Sequence, residues 1–271
     1  MSVLNALTDP FYRYLPTHLA DLALAMVWGQ KEALDPQIYN AFRQTGLIHL
    51  LVLSGQNITL LSGVLCSLLS RFGKRLQILG LILVSLLYIC LFPTEPPIIR
   101  AAIMAILGSI VIILEHTTAN FYILPLAAVL MVILEPRWLT SLSFWLSMSA
   151  TGGIVLFYSS LFILISRSKK LQRLPKEIKQ ILALTLSAQI FTTPLLLIFF
   201  REYPLLSIPI NLVVSFFVEP IMVFGILLSL LSLLGPIITF PLSLILFGLL
   251  QTLLTIISWL GHLSALFVLR I

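Results

Sequence analysis

Four groups of polar side chains interrupt the long apolar runs of this chain, and an imidazole, amide or guanidinium in such surroundings must face protein or water. The first lies in 45–59, TGLIHLLVLSGQNIT. There His49 and Gln56 stand seven apart, about 20° from each other on a helix, with Asn57 alongside and Ser54 and Gly55 as a natural break. These groups either line a wet, irregular surface or hydrogen-bond to neighbouring helices, and one histidine among amides is too poor a ligand set for a metal. The second is Arg100, just after Pro96 and Pro97. Prolines suit a helix start, so the guanidinium falls in a first turn, where the helix dipole disfavours a cation and favours an anion. Arg100 either holds a carboxylate or phosphate in its planar fork, or snorkels to the outer interface or pairs with Glu95. The third group is Thr185, Gln189, Thr192 and Thr193 ahead of Pro194, one polar stripe that either glues helices together or lines a pore. In the fourth, Asn211, Ser215 and Glu219 recur every four residues between Pro209 and Pro220. That spacing reads as a half-helix, tolerated at membrane depth only against protein or a cavity. Glu219 is either a buried partner for a cation such as Arg100 or an interfacial charge. These groups offer hydrogen bonds and one cation, not a nucleophile with its base, so no catalytic residue, metal or cofactor is expected.

The elements that position them are membrane spans. Of 271 residues 59% are hydrophobic and 10% charged, with a mean hydropathy of +1.10, and no soluble interior hides so much apolar surface. Apolar runs long enough to cross about 30 Å of hydrocarbon as helix are expected at 47–70, 76–92, 97–114, 121–134, 139–165 and 178–200, then over a proline-broken 204–234 and over 236–269. The fold class is therefore all-α, a polytopic transmembrane bundle of about 8–10 spans, with broken helices near the pore. The short alternating segments of a β-barrel are absent. Ser141, Ser143, Ser147, Ser149, Gly152 and Gly153 read as close helix packing. Cys66 and Cys90 read as small core residues.

Ahead of the spans, residues 1–46 form a separate, less apolar segment, and 47–271 a single membrane domain. Leu15, Leu19, Leu22 and Met26 recur opposite Asp21, which suits a helix on the membrane surface or against the bundle. Asp35 and Pro36 form an N-cap and first position for a short helix carrying Ile38, Tyr39 and Phe42. No cleavable signal peptide is expected. Arg71, Lys74 and Arg75 follow the first span, and Arg167, Lys169, Lys170, Arg173, Lys176 and Lys179 follow the fifth. Four spans separate the two clusters, so they share a side, the cytoplasmic one, and the N-terminus lies outside. The basic loops serve topology and anionic-lipid contact, or a nucleic-acid or partner contact.

The 45–59 string resembles the signature of the ComEC-type competence family, GxxHLLxxSG followed by His or Asn. Three further segments are similar to that family in the same order: PIIRAAIM at 97–104, SLSFWLSMSAT at 141–151, and SAQIFTTP at 187–194 followed by NLVV from Asn211. The resemblance runs from about Asp21 to Leu234. It implies an inner-membrane channel passing one strand of incoming DNA, with membrane lipids around it. It also implies a separate DNA receptor, motor ATPase and nuclease as partners, and a homo-oligomer is possible. On that reading His49, Ser54, Gly55, Gln56, Asn57, Arg100, Gln189, Thr193, Pro194, Asn211 and Glu219 line the path. Asn57 stands where many members have a second His, which weakens any pairing of histidines. Full-length members also carry an OB-like and a metallo-β-lactamase-like domain. Neither is expected within these residues, which hold no HxHxDH cluster, so strand degradation falls to another polypeptide or to a part outside this sequence. A conduit for a polyanion needs polar, mildly positive walls, because dense positive charge binds phosphate too tightly to release it. The competing readings are a small-solute or anionic-lipid transporter on the same bundle, with Arg100 holding the substrate, and a non-transporting membrane scaffold.

Overall fold

The structure is a computed structural model that describes residues 3–51, 69, 71, 73–91, 95–113, 120–171, 173–232 and 235–270. Ser54, Gly55, Gln56, Asn57 and Cys66, with most of the first expected span, lie outside the described residues. The described chain is helical, apart from a ribbon that pairs Glu202–Pro204 antiparallel with Val268–Arg270. It divides into two compact units, one made of Met1–Leu53 with Glu202–Ile271 and the other of Ser54–Arg201. Among the described residues four helices are long and apolar enough to cross a membrane: Leu142–Arg167, Lys176–Phe200, Ser207–Leu231 and Pro236–Ser264. At 1.5 Å per residue, roughly 37 Å of helix accompanies 25 residues. Their exposed surfaces carry large apolar side chains such as Leu164, Ile198, Leu244 and Trp259, as suits a lipid solvent.

The first unit contains α1 (Val3–Tyr14), α2 (Thr17–Trp28) and α3 (Pro36–Gln44). All three pack on the hairpin formed by the last two long helices of the chain. Asp35 caps α3 as expected, its Oδ1 accepting from the Gln37 amide at 2.7 Å with Pro36 at the first position. Of the two placements the sequence leaves for α2, the structure has it against the bundle, with every residue from Leu19 to Trp28 buried. Apart from His18 and Asp21 its side chains are apolar or small, so it hides all its faces rather than one stripe. Buried Asp21 accepts a 2.8 Å bond from the Tyr12 hydroxyl, and desolvation together with that carboxylate pushes the Tyr12 pKa up to about 12. α2 ends in an αL cap, with Gly29 left-handed at φ 68° and its amide bonded to the Ala25 carbonyl at 3.1 Å.

The second unit contains α4 (Lys74–Leu91), α5 (Pro96–Ile113), α6 (Asn120–Leu134), α7 (Leu142–Arg167) and α8 (Lys176–Phe200). Ile99 and Ile103 of α5, Ala127 and Met131 of α6 and Phe144 of α7 form one core, with Trp138 and Met148 packed against it. α7 and α8 make a long hairpin that closes at Gly153, where any Cβ would strike the Ser187 carbonyl, so the small residues of α7 do mark a close helix contact. Cys90 of α4 is exposed rather than in the core. Back in the first unit, α9 (Ser207–Leu231) and α10 (Pro236–Ser264) form its long hairpin. The segment between Pro209 and Pro220 is not a half-helix: α9 is continuous through Pro220. The chain breaks before it instead, at Arg201 (φ 55°) and the Glu202–Pro204 strand. Packing against neighbours stabilises a helix through the one backbone bond that a proline removes.

Candidate functional site

The second unit builds the site around Arg100. Pro96 and Pro97 open α5 and have no amide hydrogens, while the amides of Ile98 and Ile99 are both bonded to the Glu95 carbonyl at 3.1 Å. No backbone donor of that first turn is left to bind an anion, so the guanidinium is the donor there. Ile99 and Ile103 point into the core beside Phe144, which sets the neighbouring Arg100 against α7 one turn further on. Its Nη1 donates to the Ser147 carbonyl at 2.8 Å. The same carbonyl accepts the Thr151 hydroxyl at 3.1 Å. The Arg100 Nε and the Ser147 hydroxyl are both buried without a hydrogen-bond partner among the described residues. Each such orphaned group costs about 1–3 kcal/mol. Among the described residues no carboxylate of the same unit forms an ion pair with Arg100, Glu95 included. Sequence reasoning placed Ser147 only in a packing stretch. The bond from Arg100 uses its backbone carbonyl, which no residue type announces.

Gln189 and Thr193 of α8 are half-buried in the same unit, and Pro194 lies exposed inside the helix. The Thr192 hydroxyl bonds back to the Ala188 carbonyl at 3.0 Å, and Thr185 and Ser187 are buried. A groove of about 580 Å³ in this unit is lined by Ile89, Ile99, Ile103, Leu134 and Trp138, with Glu135 and Arg137 at one side. That pair is already satisfied, Nε and Nη2 of Arg137 each donating to a Glu135 oxygen at 2.8 Å, and Arg137 holds the carboxyl down at about 2. The groove therefore offers a polyanion nothing.

In the first unit His49 sits exposed on a 3-10 turn, Ile48–Leu50, that follows α3. Gly46 makes the turn possible at φ 75°: a Cβ there would lie 2.8 Å from Pro204 Cγ and 2.9 Å from Ser207 Cβ. The turn carrying His49 is thereby seated at the start of α9. Asn211 is half-buried four residues on, its carbonyl accepting the Ser215 hydroxyl, and Glu219 is exposed on the side of α9 that also shows Val213 and Phe216. A carboxylate midway along so apolar a helix requires protein or water in front of it. The structure thus brings Arg100 to Ser147 and Thr151, and seats the turn of His49 at the start of α9. His49, Asn211 and Glu219 belong to one unit, and Arg100, Gln189, Thr193 and Pro194 to the other.

Among curated proteins the chain is 26% identical over 228 residues to "ComE operon protein 3" of Bacillus subtilis (strain 168), covering 80% of this chain and 28% of that protein. It is 24% identical over 223 residues to "Recombination protein 2" of Haemophilus influenzae, covering 77% of this chain and 28% of that protein. A 35% identity over 140 residues links 51% of it to 33% of a protein of Aquifex aeolicus (strain VF5) described as uncharacterized. The chain thus spans about a third or less of the length of these relatives. No solved structure matches it. A family model, Competence protein, matches residues 26–269, nearly the whole of the bundle described above. This helical membrane chain belongs to the Competence protein family.

Proposed function

We propose that this chain is an inner-membrane channel through which single-stranded DNA is taken up during natural transformation. The observation that carries the reading is Arg100, a cation with an unused, buried hydrogen-bond donor in the first turn of an apolar helix, within a competence-family bundle. A phosphodiester supplies the missing charge and acceptors, and a single such contact is weak enough to let a strand move on. Within the second unit Gln189 and Thr193 line the same path as Arg100, with Pro194 shaping it. The chain performs no catalysis. Capture and pulling fall to a DNA receptor and a motor ATPase, and degradation of the other strand to another polypeptide or to a part outside this sequence.

The N-terminus lies outside and the basic loop 167–179 in the cytoplasm. Contacts within the first unit support this parity. Gly46 meets Pro204 and Ser207, the Ser264 hydroxyl donates to the Gln44 carbonyl at 2.7 Å, and Glu202–Pro204 pairs with Val268–Arg270. The end of α3, the start of α9 and the end of α10 therefore share one end of the hairpin, and the span count puts all three outside. Substituted-cysteine labelling tests orientation and lining together. Cysteines at 189 and 211 are expected to react with a small water-soluble thiol reagent, whereas those at the lipid-exposed positions 198 and 244 stay inert. Labelling of position 170 by an impermeant reagent outside intact cells overturns the topology. The function itself is tested by internalisation of labelled DNA, which is expected to vanish in cells lacking the chain.

A further inference from the structure

We propose that Arg100 and Ser147 together form an oxyanion site near the outer end of α5, in which one phosphodiester oxygen takes hydrogen bonds from the Arg100 Nε–H and from the Ser147 hydroxyl. The inference rests on the DNA-channel reading and adds to it a residue that neither sequence nor family assigns. Three observations converge. Among the described residues, the two unpartnered buried side-chain polar atoms belong to the two residues already joined by the 2.8 Å bond from Nη1 to the Ser147 carbonyl. That bond ties the guanidinium to α7, and the Thr151 hydroxyl donates to the same carbonyl at 3.1 Å. Among the described residues the cation has no carboxylate partner in its own unit, and it stands at a helix end whose dipole repels it. An oxyanion answers all three: it accepts from Nε–H, accepts from the hydroxyl, and neutralises the charge. Pro96 and Pro97 strip the turn of amide donors, so recognition is confined to two side chains. Such a site reads a charged oxygen and ignores the base attached to it, which a sequence-independent conduit requires.

The chemistry is that of a phosphodiester monoanion, which both a DNA strand and an anionic lipid headgroup carry. The experiment uses the full chain purified in dodecyl maltoside, which carries no phosphate, and follows thermal unfolding with three probes: dimethyl phosphate, an oligodeoxythymidylate, and mixed micelles containing phosphatidylglycerol. Dimethyl phosphate and the oligonucleotide are expected to raise the unfolding midpoint saturably, and phosphatidylglycerol to leave it unchanged. A response to phosphatidylglycerol that removes the response to the oligonucleotide overturns the assignment to DNA. Ser147→Ala isolates the hydroxyl, because the bond from Arg100 goes to the backbone carbonyl and survives the substitution. It is expected to weaken dimethyl phosphate binding roughly tenfold or more, while Ser147→Thr, which keeps a hydroxyl, retains most of it. Without anion, Ser147→Ala is expected to be as stable as the parent or more so, since it deletes an unsatisfied group. Undiminished binding by Ser147→Ala, or no response of the parent to dimethyl phosphate, overturns the site. If Ser147→Ala cells internalise DNA normally while cells without the chain do not, the oxyanion site falls and the channel reading stands.

Discussion

Replacing Arg100 with alanine is expected to reduce DNA internalisation to background, with protein level and membrane insertion unchanged. The substitution removes the only cation placed in the first turn of α5 and its bond to the Ser147 carbonyl, but that carbonyl keeps the Thr151 hydroxyl. The bundle therefore loses its anion contact and keeps its packing, because Ile99, Ile103 and Phe144 are untouched. Arg100→Lys is expected to retain part of the activity, since lysine keeps the charge but not the planar fork. Glu219→Gln separates two of the counter-anions that the sequence allows, phosphate and Glu219. A mild effect is expected if phosphate is the partner, and a defect equal to that of Arg100→Ala if Glu219 is. Normal uptake by a well-expressed Arg100→Ala variant would mean that the side chain merely snorkels, and its functional role would be withdrawn.

Gly153→Ala is expected to destabilise the protein by about 3 kcal/mol, the upper end of overpacking costs, and Gly153→Leu to prevent its accumulation. A Cβ at 153 meets the Ser187 carbonyl oxygen and carbon and lies 3.5 Å from the Ala188 Cα, all backbone of α8. No rotamer change relieves such a clash, and only separation of α7 from α8 does. Those two helices carry Ser147 and Thr151 on one side and Gln189 and Thr193 on the other, so separating them also dismantles the candidate lining. Gly248 of α10 serves as the control, because nothing lies within 4 Å of a Cβ there. Gly248→Ala is expected to be neutral or to add up to about 1 kcal/mol through helix propensity. Thermal unfolding in detergent reads both, and equal midpoints for the two alanine variants would contradict the close-contact account.

The local chemistry of single elements was legible before any coordinates. The capping pair Asp35 and Pro36 starts α3, Pro96 and Pro97 start α5, and the small residues around Gly153 mark a close approach. What was not legible depends on partners distant in sequence. Ser147 meets Arg100 through its backbone carbonyl across 47 residues of separation. The burial of α2 on every side depends on Gly225, where a Cβ would lie 2.6 Å from Val27 Cγ2, and on the 3.1 Å bond from the Trp28 indole to the Ser229 hydroxyl. Neither appears in the periodicity of α2 itself. The same holds for α9: Pro209 and Pro220 signal a break by local rules, while packing against α1, α2 and α10 keeps the helix whole.

The central claim is that DNA crosses the membrane through this chain, and separating surface-bound from internalised label tests it most directly. Cells deleted for the chain, with the rest of the uptake machinery intact, are given end-labelled duplex DNA, and nuclease-resistant label in the cytoplasm is counted against label at the surface. The account predicts normal surface binding and no cytoplasmic label, with single-stranded product restored by the wild-type chain and not by Arg100→Ala. Cytoplasmic label at the wild-type level in the deleted cells would contradict it.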